Sequence, residues 1–143
     1  MKEGAKFVTF QDFNDSVLLN FTLSNILCNE SKETPLEQFE FVDGDWTDVA
    51  EKITQKQALY DLIFSSETIY SEENYPKLAK LLESSLDQNG VAYIAGKTYY
   101  FGVGGGMRDF EDYINESSSL TCETHSTIDA TVQREIVKIK RKL

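Results

Sequence analysis

Short apolar segments alternate with segments of helical periodicity along most of this chain, and this alternation constrains the fold more than any other feature. Strands are predicted at residues 6–11, 39–42, 60–65 and 91–95. Between them, hydrophobic side chains recur three or four residues apart, which is typical of amphipathic helices. Strands that alternate with helices form parallel sheets, because each helix carries the chain back across the sheet. The sequence therefore predicts an α/β domain with a mostly parallel sheet.

The strand predictions differ in how much of each strand is buried. Residues 60–65 (Tyr-Asp-Leu-Ile-Phe-Ser) form a continuous apolar run, which is typical of a strand buried on both faces. Residues 120–125 and 132–142 predict a C-terminal antiparallel hairpin joined by a short polar turn. In its second strand Val137 and Ile139 alternate with lysines, so one face is expected to meet solvent.

The helix predictions depend on capping residues and on apolar spacing. Asn14 or Asp15 can cap a first helix. The apolar positions of that helix are Val17, Leu18, Phe21 and Cys28. Pro76 suits the first turn of a later helix, and Asn89-Gly90 is expected to end it. Helices are also predicted at residues 48–57 and 107–115.

Composition and charge narrow the class of protein. The chain has 143 residues, which suits a single domain over residues 1–143. Its net charge of −10 disfavours direct nucleic-acid binding, since phosphates would be repelled. An acidic surface could attract a basic protein, or could serve solubility alone. The 2 cysteines lack CxxC spacing, so neither a metal site nor a disulfide framework is expected. With no signal-like or membrane-spanning apolar run, the expected location is the cytoplasm or the nucleus.

Polar residues follow three of the predicted strands, where ligands of parallel sheets bind. Asp12 could accept hydrogen bonds from ribose hydroxyls, although an Asp in this place is as often a helix cap. Asp45 could accept a hydrogen bond from an adenine amino group, and the indole of Trp46 could cover the face of the adenine ring. Alternatively, Asp45 is a turn aspartate and Trp46 a core tryptophan. Glu67 and Tyr70 could position a nucleophile, or could cap the next helix.

Two glycine-containing segments invite a phosphate-binding interpretation, which fails for both. Gly96-Lys97-Thr98 follows residues with the composition of a strand and lacks the spacing of a phosphate loop. The segment from Gly102 to Gly106 precedes a helix but has no lysine placed to reach a phosphate. It is expected to let the backbone pass close to a ligand or substrate.

Four segments together resemble the C-terminal part of histidine protein methyltransferases, which are seven-strand enzymes dependent on S-adenosylmethionine (SAM). They occur in the order typical of that family and are Phe10-Gln11-Asp12-Phe13-Asn14, Gly44-Asp45-Trp46, Ser65-Ser66-Glu67-Thr68-Ile69-Tyr70 and Tyr100-Phe101-Gly102-Val103-Gly104-Gly105-Gly106. Related protein-lysine methyltransferases usually have Asp-x-x-Tyr where this chain has Glu67 to Tyr70, and they lack the glycine run. The resemblance therefore favours histidine as the methyl acceptor.

The resemblance implies a partial Rossmann-like methyltransferase sheet, mostly parallel with a C-terminal antiparallel hairpin. It also implies SAM as cofactor and a protein substrate carrying a target histidine, in that family a large-subunit ribosomal protein. Catalytic roles would fall to Glu67 and Tyr70. The implied cofactor-binding residues are Asp12, Asn14, Asp45, Trp46, Ser65 and Ser66. The implied substrate-binding residues are Gly102, Gly104, Gly105 and Gly106.

The sequence departs from the family pattern in one respect. Such enzymes begin this domain with a strand and a Gly-x-Gly loop that hold the methionine end of SAM, and this sequence matches the family only after them. The isolated chain is therefore expected to bind SAM weakly and to be inactive or impaired. Two alternatives stay open: a non-catalytic interaction module of the same family, and a nucleotide-dependent oxidoreductase, which the terminal hairpin disfavours.

Overall fold

The computed structural model describes residues 4–29 and 35–142. It divides into two compact units, Met1–Val49 and Ala50–Leu143. The described elements confirm the α/β class, with two parallel strand pairs and a C-terminal antiparallel hairpin. The single domain predicted over residues 1–143 stays a prediction.

The first unit contains a two-stranded parallel sheet of β1 (Val8–Asp12) and β2 (Phe39–Asp43). The strands pair in register from Val8 with Phe39 to Asp12 with Asp43, so their carboxyl ends lie at the same edge. Both lie within two residues of their predicted positions. The helical stretches between them are α1 (Asp15–Val17), a π-helical turn (Leu18–Thr22), α2 (Leu23–Asn29) and a short 3₁₀ turn (Leu36–Gln38).

The first helical region buries fewer of its predicted apolar side chains than expected. Leu18 and Ile26 are buried, whereas Phe21 and Cys28 are exposed. The π-helical turn adds a residue to one helical turn and rotates the following side chains away from regular spacing. Of the four apolar positions predicted for this helix, Phe21 and Cys28 are therefore not buried with Leu18.

Helix α3 (Trp46–Lys56) begins in the first unit and continues into the second. The other elements of the second unit are β3 (Tyr60–Ser66), a 3₁₀ turn (Glu72–Asn74), α4 (Tyr75–Ser85), β4 (Leu86–Lys97), α5 (Met107–Ser117), β5 (Leu120–Ile128) and β6 (Arg134–Arg141). Four of its strands form a sheet in the order β3-β4-β6-β5. The β3–β4 pair is parallel and the other two pairs are antiparallel.

One face of this sheet packs against α4 and α5. Alternate residues of the strands point to that face because side chains alternate along a strand. The buried core formed there includes Leu78, Leu82, Ala92, Ile94, Phe110, Ile114, Leu120, Cys122, Val137 and Ile139. Leu78 and Leu82 form the buried face of α4, and the predicted alternation in β6 is confirmed.

Two predictions about this unit are wrong. Helix α4 ends at Ser85, and Asn89 and Gly90 lie within β4. A Cβ at Gly90 would stand 2.8 Å from the carbonyl oxygen of Tyr60, so glycine here allows close strand contact. Strand β3 is at one edge of the four-stranded sheet and is not buried on both faces, since Leu62 is 50% and Phe64 73% exposed.

Candidate functional site

The predicted adenosine-binding residues of the first unit lie together at the carboxyl ends of β1 and β2. Parallel pairing in register places Asp12 beside Asp43, directly before Gly44 and Asp45. The carbonyl oxygen of Asp12 accepts a hydrogen bond from the amide of Gly44 at 3.1 Å. The sheet therefore fixes these residues at the edge where open α/β proteins bind ligands.

Two hydrogen bonds through the side chain of Gln11 hold Trp46 in place. Its indole Nε1 donates to Oε1 of Gln11 at 3.0 Å, and Nε2 of Gln11 donates to the carbonyl of Gly44 at 3.0 Å. The ring is partly buried. Because the indole is tethered to β1 at its nitrogen, it cannot turn freely about its side-chain bonds. Gln11 was not among the predicted site residues, although it lies next to Asp12 in a segment that carries the resemblance.

Asp12 and Asp45 each accept a hydrogen bond from a nearby backbone amide. Oδ1 of Asp12 accepts from the amide of Asn14 at 2.8 Å, and Oδ1 of Asp45 accepts from the amide of Thr47 at 2.9 Å. Asn14 occupies the N-cap position of α1 without a side-chain cap hydrogen bond. These bonds fix the two carboxylates. The bond of Asp45 caps the start of α3, whereas that of Asp12 reaches only the N-cap residue of α1.

In the second unit, Glu67 follows β3 with an unusual backbone. Its φ is 57°, in the left-handed region that residues other than glycine rarely adopt. Its amide donates to the carbonyl of Ala95 at 2.9 Å, which ties this turn to β4. Strained backbone of this kind costs about 1–3 kcal/mol and clusters at functional sites.

The carboxylate of Glu67 has two neighbours. Its Oε2 accepts a hydrogen bond from the hydroxyl of Tyr100 at 3.0 Å. Its Oε1 lies 3.9 Å from Nε of Arg134. Neither Tyr100 nor Arg134 was assigned a role from the sequence; Tyr100 opens the glycine-run segment, whereas Arg134 lies in the hairpin and carries no local signal.

The remaining predicted residues of this unit surround Glu67 in sequence and space. Oγ of Ser65 and Oγ1 of Thr68 lie 2.8 Å apart and share a hydrogen bond, while Ser66 is exposed. Tyr70 is 47% exposed, and its ring meets that of Tyr100 edge to face at 6.3 Å. The side chains of Tyr70 and Glu67 are both partly exposed, and both contact Tyr100.

The glycine loop, residues 102–106, combines open and tightly packed positions. Gly102 has φ +84° and open space around it. Gly105 is buried, and a Cβ there would stand 2.4 Å from the carbonyl oxygen of Ile69. At Gly106 the corresponding distance to the carbonyl oxygen of Thr98 is 2.5 Å. The close approach expected of this loop is therefore to its own chain at Gly105 and Gly106, and a substrate role of the loop stays a prediction.

Two clefts differ in their relation to these residues. A cleft of about 390 Å³ in the first unit is lined by Val8, Phe10, Ile26 and Phe39, at the amino ends of β1 and β2. A smaller cleft of about 260 Å³ in the second unit is lined by Lys97 at the end of β4, by Tyr99, Tyr100, Phe101 and Val103 before and within the glycine loop, and by Val132 of the turn before β6. The smaller cleft is the better candidate for a ligand site, because ligands bind at carboxyl strand ends.

Within the described part of the chain, no group of three or more His, Cys, Asp or Glu side chains is placed to hold a metal ion.

Among residues 4–29 and 35–142, no helix has both the length and the hydrophobicity needed to cross a membrane.

Solved structures identify the fold. The chain superposes with a TM-score of 0.69 on SMU.776, a protein described as a methyltransferase and solved in complex with S-adenosylhomocysteine (SAH), at 15% identity over 96% of this chain and 40% of that one. It superposes with a TM-score of 0.63 on the Methanococcus jannaschii fibrillarin pre-rRNA processing protein, at 14% identity over 96% of this chain and 57% of that one. The fold is thus that of Rossmann-like methyltransferases.

Sequence comparison narrows this class to a family. A family model described as lysine methyltransferase matches residues 3–101, and the chain belongs to that family. The chain is 37% identical over 142 residues to histidine protein methyltransferase 1 homolog of Dictyostelium discoideum, covering 98% of this chain and 44% of that protein. It is 30% identical to the Bos taurus protein of the same name, covering 99% of this chain and 44% of the relative. The chain thus spans less than half the length of these relatives.

Proposed function

We propose that this chain supplies the later part of a SAM-dependent protein methyltransferase whose acceptor is a histidine side chain. The family and the names of the relatives support methyl transfer and a protein substrate. The observation that carries the proposal is the strained Glu67, whose carboxylate is fixed by Tyr100 at the carboxyl end of β3. No observation on the described residues favours the non-catalytic alternative.

The residues of the first unit fit the adenosine half of SAM. Carboxylates such as Asp12 and Asp45 accept from ribose hydroxyls or an adenine amino group, and the tethered indole of Trp46 offers a flat apolar surface. When bound, SAM supplies an electrophilic methyl group on a sulfonium. By resemblance, Asn14 of this unit is also proposed to contact the cofactor, and so, separately, are Ser65 and Ser66 of the second unit.

Glu67 and Tyr70 are the proposed residues on the acceptor side. The imidazole nitrogen that carries no proton would take the methyl as the carbon–sulfur bond breaks and SAH leaves. The other ring nitrogen presents an N–H group, and its proton is lost once the methylated ring is positively charged. The carboxylate of Glu67 can accept that hydrogen bond and orient the ring, and Tyr70 can pack beside it. Alignment of this kind is the main contribution that a protein makes to an in-line methyl transfer.

The proposed substrate is a basic protein, and the resemblance to histidine protein methyltransferases favours a large-subunit ribosomal protein. The net charge of −10 favours encounter with such a partner. Binding is proposed to be direct to the protein, without nucleic-acid or membrane contacts, in the cytoplasm or the nucleus.

The proposal is tested with a joined protein, in which this chain follows the part of the Dictyostelium discoideum relative that precedes the matched region. We expect the joined protein to transfer radiolabelled methyl from SAM to a ribosomal protein fraction, with the label on histidine after hydrolysis. Glu67→Gln should lower turnover, whereas Glu72→Gln should not. Label on lysine would contradict the proposed acceptor, and undiminished turnover of Glu67→Gln would remove the proposed role of Glu67.

A further inference from the structure

Tyr100 is a buried residue whose hydroxyl joins two parts of the second unit. The side chain is only 7% exposed. Its hydroxyl donates to Oε2 of Glu67 at 3.0 Å and accepts from the amide of Lys97 at 3.1 Å. One oxygen thus connects the carboxylate after β3 with the end of β4, so the hydroxyl proton is directed at Glu67 because the amide occupies its acceptor side.

The backbone of Tyr100 is bonded to the glycine loop. Its amide donates to the carbonyl of Gly105 at 2.9 Å, and the amide of Gly104 donates to its carbonyl at 3.4 Å. Gly105 in turn donates to the carbonyl of Tyr70 at 3.2 Å, and the rings of Tyr70 and Tyr100 meet edge to face. Both proposed acceptor-side residues, Glu67 and Tyr70, therefore contact Tyr100.

We infer that Tyr100 is a positioning residue, which holds the carboxylate of Glu67 and the glycine loop in one fixed relation. The inference rests on the proposed function, since it assigns Glu67 its orientation toward the acceptor. A hydrogen bond to a charged group is stronger than one between neutral groups, so the hydroxyl restricts the carboxylate more than packing alone does. The Nε of Arg134 lies 3.9 Å from Oε1 of Glu67 and stabilises this second carboxylate oxygen.

A purely structural role is the competing explanation, because a buried hydroxyl also satisfies the amide of Lys97. Removing only the charge of Glu67 tests whether the two side chains are coupled as a positioning role requires, and the turnover of Tyr100→Phe separates that role from a purely structural one. Burial raises the pKa of Tyr100, the hydrogen bond from the Lys97 amide lowers it, Glu67 raises it further, and Arg134 lowers it. The ammonium of Lys97 also lies 5.2 Å from the centre of the Tyr100 ring.

The first experiment needs no catalysis and uses the 143-residue chain itself. The titration of Tyr100 is followed by NMR through its Cζ resonance. Glu67→Gln should shift the midpoint of this titration downward, because it removes a charge that opposes tyrosinate formation. Glu72→Gln, which alters an acidic residue that acts on Tyr75, is the matched control and should leave the midpoint in place. An unchanged midpoint in Glu67→Gln would overturn the inference.

The second experiment measures turnover in the joined protein. Tyr100→Phe keeps the ring and the backbone bonds but removes the hydroxyl, and we expect kcat to fall about tenfold or more with KM unchanged. Tyr113→Phe, in α5 of the same unit, is the control for the loss of a tyrosine hydroxyl outside the proposed site and should keep the wild-type kcat. A Tyr100→Phe protein with wild-type kcat would overturn the inference even if the titration is coupled. If the unaltered joined protein transfers no methyl at all, the proposed function fails, while the titration still decides whether Glu67 and Tyr100 are coupled.

Discussion

Glu135 is the one acidic side chain that is fully buried among the described residues, at 1% exposure. Its Oε1 accepts from Nη2 of Arg108 at 2.7 Å, and its Oε2 has no hydrogen-bond partner among the described residues. A buried charge depends on its partner, because water cannot compensate for a lost contact. Arg108 is 61% exposed, so solvent weakens the pair on that side.

Removal of Arg108 should therefore destabilise the chain by leaving Glu135 unpaired. We expect Arg108→Met to lower the free energy of unfolding by about 1–3 kcal/mol in urea titrations. The double variant Arg108→Met/Glu135→Met should recover much of this loss, since it removes the buried charge as well. Equal stability of Arg108→Met and the wild type would show that the pair contributes nothing.

The two cysteines should differ in reactivity. Burial raises the pKa of Cys122 to about 12, and the charges of Glu111 and Glu123 add to the effect. Cys28 is exposed. At pH values near neutral, a thiol reagent should modify Cys28 rapidly and Cys122 only on unfolding. In a Cys28→Ser variant, the labelling of Cys122 can be measured by itself. Fast labelling of Cys122 in native buffer would contradict its burial.

The same pKa shift sets the direction of a pH effect on stability. An unfolded cysteine ionises near pH 9, whereas Cys122 in the folded chain retains its proton to about pH 12. The unfolded state therefore binds fewer protons in this window, and stability falls as pH rises through it. Cys122→Ala should make the stability loss over that range shallower in urea titrations.

The place of a single residue in the fold can be predicted from the sequence where that residue lies at the end of a strand. The β-prone residues before Asp12 were enough to predict its place at a carboxyl strand end, and the structure confirms that place. The bond between Tyr100 and Glu67 joins residues 33 positions apart, and no local pattern encodes it. The left-handed backbone of Glu67 was also unpredictable, because the sequence offers no glycine or asparagine there to signal it.

At the scale of elements, the C-terminal basic residues act as caps for helices. Nη2 of Arg141 donates to the carbonyls of Glu83 and Leu86, each at 2.7 Å, at the end of α4. Nζ of Lys142 donates to the carbonyls of Asn115 and Ser118, at 2.9 and 2.6 Å, at the end of α5. The last carbonyls of a helix lack partners within the helix, so these cations satisfy them and complement the helix dipole.

This capping explains why the end of α4 was mispredicted, and it can be tested. Arg141 lies 55 residues from Leu86, so the helix ends because of a tertiary contact and not at the local Asn89-Gly90 signal. We expect Arg141→Met to lower the free energy of unfolding by about 1–3 kcal/mol. Lys140→Met, at an exposed position on the same strand, should change it by less than about 0.5 kcal/mol. Similar losses in both variants would contradict a specific capping role.

The glycine loop should tolerate substitution unevenly. Gly105→Ala places a Cβ against the backbone of residues 69–71, which has little freedom to move. Gly102→Ala meets open space and costs only the left-handed conformation, about 1–2 kcal/mol. Thermal unfolding should show a clearly larger loss for Gly105→Ala, and equal losses would contradict the packing of this loop.

At the scale of the whole molecule, the strand alternation and terminal hairpin were enough to predict the fold class, because period and turn signals are local. Whether both faces of β3 are buried could not be predicted from the sequence, since the exposure of a strand depends on which strands lie beside it. β3 occupies one edge of its sheet and exposes Leu62 and Phe64. Open strand edges with apolar side chains favour association.

The resemblance places the methionine-binding loop outside the segments that this chain matches. Losing two or three hydrogen bonds to a charged ligand end removes about 3–9 kcal/mol, while micromolar affinity corresponds to about 8 kcal/mol. We therefore expect the chain alone to show no micromolar binding of SAM by calorimetry. Micromolar binding by the chain alone would contradict this expectation.

Asp12, Asp45 and Trp46 are proposed to form the adenosine-binding part of a SAM site. This assignment is tested by calorimetric titration of SAH into the joined protein, with Asp43→Ala as the matched control, because Asp43 pairs with Asp12 at the same edge. We expect micromolar binding by the wild type and by Asp43→Ala, and binding at least about tenfold weaker for Asp12→Ala. Wild-type affinity in Asp12→Ala would contradict the account.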